Sequence, residues 1–127
     1  MPVIESSIDP HSPQFAHNRA TMLAAIAQLR QLEQHVLAKA QEAKPKFDRR
    51  GQLLPRERLN LLLDPGAPFL ELASLAGYKL HDDKDGSGAG GGLIAGIGYV
   101  SGARVLVVAN NSAIKGGTIS PTGLKKS

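Results

Sequence analysis

The sequence predicts an α/β chain with a helical front and a sheet-like back closed by tight turns. Three observations carry this. Phe15, Met22, Ile26, Leu29, Leu32 and Val36 recur at helical spacing. Residues 93–100 and 104–110 are two strand-like runs separated by Ser101-Gly102, which reads as an antiparallel hairpin. Eleven of the fourteen glycines lie after position 85, so sharp turns belong to the second part of the chain.

The elements follow in order. Residues 1–11 read as a loose arm. Ser12 and Pro13 make a helix start, with serine at the N-cap and proline at the first position. The helix is expected over about 13–44, since Pro45 removes a donor and clashes with the preceding turn. Its apolar stripe leaves Arg19, Arg30, Glu33 and Lys39 largely on the other face and requires a partner. Residues 44–50 read as a polar linker. A second helix is expected over about 55–64, stopped by Asp64-Pro65-Gly66. Residues 69–72 are a short strand candidate, and residues 81–92 a flexible surface loop. Strands follow at about 93–100 and 104–110, then a glycine turn, then a helix start at Ser120-Pro121. Residues 105–109 show no polar alternation, the pattern of a strand covered on both faces. Two or three strands and two helices are too few to cover both faces of a sheet. The chain is therefore expected to be the front part of a larger domain, and to be marginal and aggregation-prone by itself.

Composition narrows the classes. The chain has 127 residues, a net charge of +4 and no cysteine, which excludes disulfides, thiol chemistry and cysteine-based zinc sites. Absence of cysteine fits a cytoplasmic setting. No basic region followed by an apolar one marks a secretion signal at the N-terminus. No apolar run approaches the roughly 20 residues needed to span a membrane. The positive charge favours an anionic ligand. Nucleic-acid binding is not expected, because a basic stripe with interleaved aromatics is missing. His11, His17, His35 and His81 are scattered and read as surface residues, and no metal site is expected.

Several motifs have competing readings. Gly86-Ser-Gly88-Ala-Gly90-Gly91 matches the dinucleotide fingerprint, but a charged loop precedes it and a strand follows, the reverse of what that fingerprint needs. Six cations, Lys44, Lys46, Arg49, Arg50, Arg56 and Arg58, fall within fifteen residues. They steer an anion or form a solvated face paired with Asp48 and Glu57. Asn110-Asn111-Ser112 fits a glycosylation sequon that has no secretion signal to serve it. Lys115, Gly116, Gly117 and Thr118 are the candidate binding residues. Two glycines admit a close ligand, a lysine supplies a cation and a threonine a hydroxyl. A purely structural turn remains the alternative. No ordered nucleophile, base and acid are present, so no catalytic residue is assigned within this chain.

Three stretches together resemble the carboxyltransferase (β) subunit of biotin-dependent acyl-CoA carboxylases. Arg50-Gly-Gln-Leu-Leu-Pro-Arg-Glu-Arg-Leu-Asn-Leu-Leu-Leu-Asp-Pro-Gly66 is similar to the family's R-G-K-L-x-x-R-E-R-I-x-x-L-L-D-P-G opening. Gly92-Leu-Ile-Ala-Gly-Ile-Gly-Tyr-Val-Ser-Gly102 is similar to its G-I-G-x-V-x-G hairpin. Val107-Val-Ala-Asn-Asn-Ser-Ala-Ile-Lys-Gly-Gly-Thr118 is similar to V-A-N-D-x-T-x-x-G-G-T/S. Order and spacing agree over roughly residues 15–127; residues 69–72 and 75–78 with the Lys115–Thr118 turn are similar to the methylcrotonyl-CoA and geranyl-CoA carboxylases, and residues 110–126 look closest to the geranyl-CoA branch. Asn111 departs from the aspartate of many members.

The resemblance implies a crotonase-like fold of ββα repeats, of which this chain would be an N-terminal fragment, residues 12–127 forming an incomplete N-domain. It implies carboxyl transfer from carboxybiotin, carried by a biotin-bearing α subunit, to an acyl-CoA. Geranyl-CoA is the leading substrate, with methylcrotonyl-CoA or propionyl-CoA as alternatives. It also implies self-association of the β subunit. By motif position, Lys115, Gly116, Gly117 and Thr118 would touch acyl-CoA, while Arg56 and Glu57 would be structural. The family's oxyanion glycines would lie beyond position 127, so the chain alone is expected to be inactive. A reading from another class remains, a non-enzymatic nucleotide-binding or scaffold module.

Overall fold

A computed structural model describes residues 3–81 and 83–127, leaving Met1 and Pro2 of the arm and Asp82 of the 81–92 segment outside the described residues. The chain divides into two compact units, residues 1–31 and 32–127. The first holds the arm and most of helix α1 (Pro13–Gln41). The start of α1 is built locally. Ser12 Oγ accepts the Phe15 N–H at 3.1 Å and donates to the Asp9 carbonyl at 2.8 Å, while Asp9 Oδ1 accepts the His11 N–H at 2.9 Å. One orphan donor of the helix entrance, the Phe15 N–H, is thereby satisfied, and the residues just before the N-cap are held in a turn. The apolar stripe is only partly covered: Met22, Ile26 and Leu29 are exposed, whereas Val36 is buried.

The second unit begins inside α1 and contains α2 (Lys44–Asp48), α3 (Pro55–Leu62), β1 (Leu70–Leu72), β2 (Leu93–Val100), β3 (Ala103–Asn110) and α4 (Pro121–Lys126). The expected 13–44 helix stops at Gln41, and the expected linker at 44–50 contains α2. Pro45 accounts for both differences. It lies in the first turn of α2, where its missing N–H has no helical partner to lose. Proline restarts the helix after a bend rather than simply ending it. The second predicted helix, α3, stops at Leu62, where Leu63 turns extended.

The three strands form one antiparallel sheet in the order β1-β2-β3. Ser101 and Gly102 close the β2–β3 hairpin with φ of +52° and +78°. Two positive values are the signature of a turn that matches the strands' right-handed twist, and Gly102 adopts its value without strain. Asp64, just after α3, holds this turn. Its two carboxylate oxygens accept the N–H groups of Ser101 at 2.6 Å and Gly102 at 2.7 Å, and its own N–H donates to the Tyr99 carbonyl at 2.8 Å.

Register sorts the side chains. Leu70, Ile97 and Leu106 form one cross-strand row, and Leu72, Ala95 and Val108 the next, all on one face. Apart from Ala95, these side chains are exposed, Leu106 at 66% and Val108 at 54%. Strand β3 was expected to be covered on both faces. It is instead an edge strand of the described sheet, with alternate residues open. The opposite face carries Glu71, Ile94, Gly96 and Gly98 and packs on Leu63, Phe69 and α3. Gly96 lies under the Phe69 ring so closely that a Cβ would collide with it and would stand 2.7 Å from the Leu70 carbonyl oxygen.

Arg56 and Glu71 tie α3 to β1 through two parallel hydrogen bonds of 2.8 Å. Glu57 accepts the Leu54 N–H at 2.8 Å and pairs with Lys44 at 3.0 Å, while Lys44 also reaches Asp48 at 2.8 Å. Leucine at the N-cap has no side-chain acceptor, so only the glutamate half of a capping box is built here.

Candidate functional site

Residues 111–120 leave β3 as a chain of short turns. The Asn111 N–H donates to the Gly92 carbonyl at 2.8 Å, Ile114 N–H to Asn111 at 3.1 Å and Gly117 N–H to Ile114 at 2.9 Å. Lys115, Gly116 and Gly117 have φ of +45°, +68° and +87°. Three left-handed residues in a row need glycine at two of them, which is why the sequence pattern exposes the turn. Nothing stands over Gly116 where a side chain would be, so the backbone can be approached there.

The structure gives the four candidate residues the following surroundings. The Thr118 hydroxyl donates to the Lys115 carbonyl at 3.0 Å, and the Thr118 N–H points to the same oxygen at 3.3 Å. Thr118 therefore offers a ligand lone pairs rather than its proton. The Gly117 amide is engaged within the turn. Lys115 runs beside Gly88: a Cβ on Gly88 would meet Lys115 Cε at 3.4 Å and Asp83 Oδ1 at 3.1 Å. The cation is thus placed next to an acid.

Asp83 is a determinant that the sequence did not reveal. It is 6% exposed, and its carboxylate accepts the Lys79 N–H at 2.9 Å and the Gly88 N–H at 2.9 Å. Asp85 repeats the device on Ser87, whose hydroxyl (2.7 Å) and N–H (3.0 Å) hold its carboxyl below the ordinary value. The segment was expected to lie at the surface, and much of it does not. Gly86, Ser87 and residues 89–92 are buried. Asp83 turned inward onto two backbone donors, with Asp85 holding Ser87 from the exposed side, explains the difference, and a polar composition conceals this.

Together the two segments enclose a cleft of about 50 Å³, lined by Gly77, His81, Asp83, Gly88, Lys115 and Thr118 among others. This is room for a slim chain or a small polar group and far below the size of a nucleotide site. Helix α4 closes the neighbourhood. Ser120 Oγ accepts the Gly123 N–H at 3.1 Å, and Gly123 packs on Gly91. Lys126 extends its ammonium to three carbonyl oxygens, Leu93 at 2.8 Å and Ala73 and Gly90 at 3.1 Å. Burial, with Arg56 as a further cause, lowers its pKa.

Of the six clustered cations, Lys44 and Arg56 are paired with acids as described, and Arg58 is exposed on the rim of a separate open cleft of about 350 Å³ with Phe47, Gln52 and Asn110. All four histidines are exposed. No described helix is long and apolar enough to cross a membrane.

A glycine-rich turn and a loop anchored by the buried Asp83, set on a hairpin sheet backed by short helices, define an α/β module. Residues 46–127 match the family described as Carboxyl transferase domain, and the chain belongs to that family. It is 40% identical over 125 residues to the methylcrotonoyl-CoA carboxylase beta chain, mitochondrial, of Arabidopsis thaliana, covering 98% of this chain and 21% of that protein. It is 42% identical over 115 residues to the biotin-dependent 3-methylcrotonyl-coenzyme A carboxylase beta1 subunit of Mycobacterium tuberculosis, covering 91% and 21% respectively. Among solved structures, the beta subunit of P. aeruginosa geranyl-CoA carboxylase superposes with a TM-score of 0.85 at 70% identity, over 98% of this chain and 23% of that one. The transcarboxylase 12S hexamer structure matches with a TM-score of 0.69 at 25% identity, over 83% and 21%. The chain spans about a fifth of the length of the curated relatives it matches. The fold is that of the crotonase-like carboxyltransferases, and this chain shows its helices and a three-stranded antiparallel sheet.

Proposed function

We propose that this chain contributes the acyl-CoA side of a biotin-dependent carboxyltransferase whose substrate is geranyl-CoA. The observation that carries the reading is the 70% identity to the geranyl-CoA carboxylase beta subunit over 98% of the chain. The methylcrotonyl relatives stand at 40% and 42%, and a propionyl-CoA carboxylase beta chain at 37% over 79 residues. Membership of the carboxyltransferase family favours this reading over a non-enzymatic scaffold. In the reaction a carboxyl group carried on biotin, itself held by an α subunit, is delivered to the acyl-CoA. The β subunits associate with one another, and the enzyme works in the cytoplasm. Lys115, Gly116, Gly117 and Thr118 touch the acyl-CoA. The narrow cleft beside them suits the slender pantetheine arm, and the open backbone at Gly116 lets it approach. The base and sugar of the nucleotide need more room than this cleft gives.

The test uses the complete β subunit expressed with its biotin-bearing partner. Bicarbonate fixation is measured on geranyl-CoA, methylcrotonyl-CoA and propionyl-CoA, and the highest kcat/KM is expected for geranyl-CoA. A preference for propionyl-CoA overturns the assignment of substrate. Lys115→Ala should raise the KM for acyl-CoA by about tenfold with kcat little changed, the pattern of lost uniform binding. An unchanged KM removes Lys115 from the site.

A further inference from the structure

Among the described residues, two buried side-chain polar atoms have no hydrogen-bond partner: Nε of Arg56 and Oδ1 of Asn111. They are opposite in kind, since Nε–H only donates and the amide oxygen only accepts. Both residues line one small cavity of about 10 Å³ between the end of α1 and the start of α3, walled by Leu37 and Leu54. That is close to the room one water-sized sphere requires. Gln41 also lines it and can supply a third polar contact. The direction of Nε–H is fixed, because Glu71 holds the other two guanidinium nitrogens at 2.8 Å. Asn111 is 6% exposed, and its backbone starts the turn through its bonds to Gly92 and Ile114.

We propose that one ordered water molecule bridges Arg56 Nε–H to Asn111 Oδ1, and that this bridge makes Asn111 a positioning residue for the turn carrying Lys115 and Thr118. The water accepts from the guanidinium and donates to the amide oxygen. A buried donor and acceptor are satisfied together, as buried waters usually do. The bridge couples the Arg56–Glu71 pair on α3 and β1 to the first residue of the turn. Its effect on ligand binding rests on the acyl-CoA reading given above, whereas the water site does not.

A crystal structure of the full-length subunit, at a resolution that places ordered water, tests the site. One water within hydrogen-bonding distance of both atoms is expected, retained in Asn111→Asp and lost in Asn111→Leu. Arg56→Lys keeps a cation for Glu71 but has no Nε–H, so it loses the same water even if Asn111→Leu fails to fold. A dry cavity overturns the bridge. So does a direct bond between the two atoms, or a bond from either to another part of the protein. In kinetics, Asn111→Leu should raise the KM for acyl-CoA about fivefold with kcat nearly unchanged, and Asn111→Asp should stay close to the parent. If Lys115→Ala raises KM and Asn111→Leu does not, the positioning role falls while the acyl-CoA reading stands. If neither moves KM, Lys115 leaves the acyl-CoA site and the positioning role of Asn111 falls as well, while the crystal structure decides the water site.

Discussion

Glu57 links two helices with one side chain, accepting the Leu54 N–H at the start of α3 and pairing with Lys44 of α2. The backbone hydrogen bond first, and Lys44 second, hold its carboxyl below the ordinary 4.5. A depressed acid stabilises the fold fully above its unfolded value, and that contribution disappears as pH falls through the folded value. The melting temperature should therefore decline as pH drops below about 4.5, and Glu57→Gln should flatten part of the decline. Melting curves from about pH 7 to about pH 3 check this. Equal slopes for parent and variant would show that Glu57 contributes nothing. At this scale the turn of Lys115, Gly116, Gly117 and Thr118 was legible, because positive-φ positions are a local demand that glycine advertises. The partners of Asp64 and Lys126 were not legible. They lie 33 to 53 residues away in sequence, and a lysine that serves three carbonyls looks like any surface lysine.

Among the elements, strand β2 is the least tolerant of added volume. Gly96 sits beneath the Phe69 ring and beside the Leu70 backbone, and Gly98 lies against Leu63 and Phe69. Gly96→Ala should destabilise the chain by about 1–3 kcal/mol, the usual cost of overpacking. Urea unfolding measures it, and an unchanged midpoint would mean that Phe69 swings aside at no cost. The hairpin could be read from sequence because its turn residues and apolar runs are adjacent. The 44–50 stretch was misread because the same proline serves as helix breaker and helix starter, and only the bend at Glu42 and Ala43 decides between them. The loop around Asp83 was misread because carboxylates signal solvent until backbone donors are seen to surround them.

At the largest scale, the second unit leaves open the apolar sheet face of Leu70, Leu72, Ile97, Leu106 and Val108. An exposed apolar patch on an edge strand promotes association. Replacing Leu106 and Val108 together by threonine keeps strand propensity while removing apolar surface. Light scattering across a concentration series should then show less self-association of the chain, and no change would sink the link between this face and association. The sequence indicated that residues 105–109 seek cover, and the described residues cover one side of them. Continuous apolarity records what a strand requires. It does not record which part of the protein provides it.

The grip of Asp64 on the hairpin turn has a consequence in time. A two-residue turn lets β2 and β3 zip within microseconds, because the paired residues are neighbours in sequence. Asp64 reaches that turn only after a loop of 37 residues has closed, which costs chain entropy before any hydrogen bond is gained. The hairpin thus forms first and the clamp latches afterwards. Contacts made late weigh on the rate of opening rather than the rate of folding, so Asp64 sets how long the hairpin stays docked once it has formed.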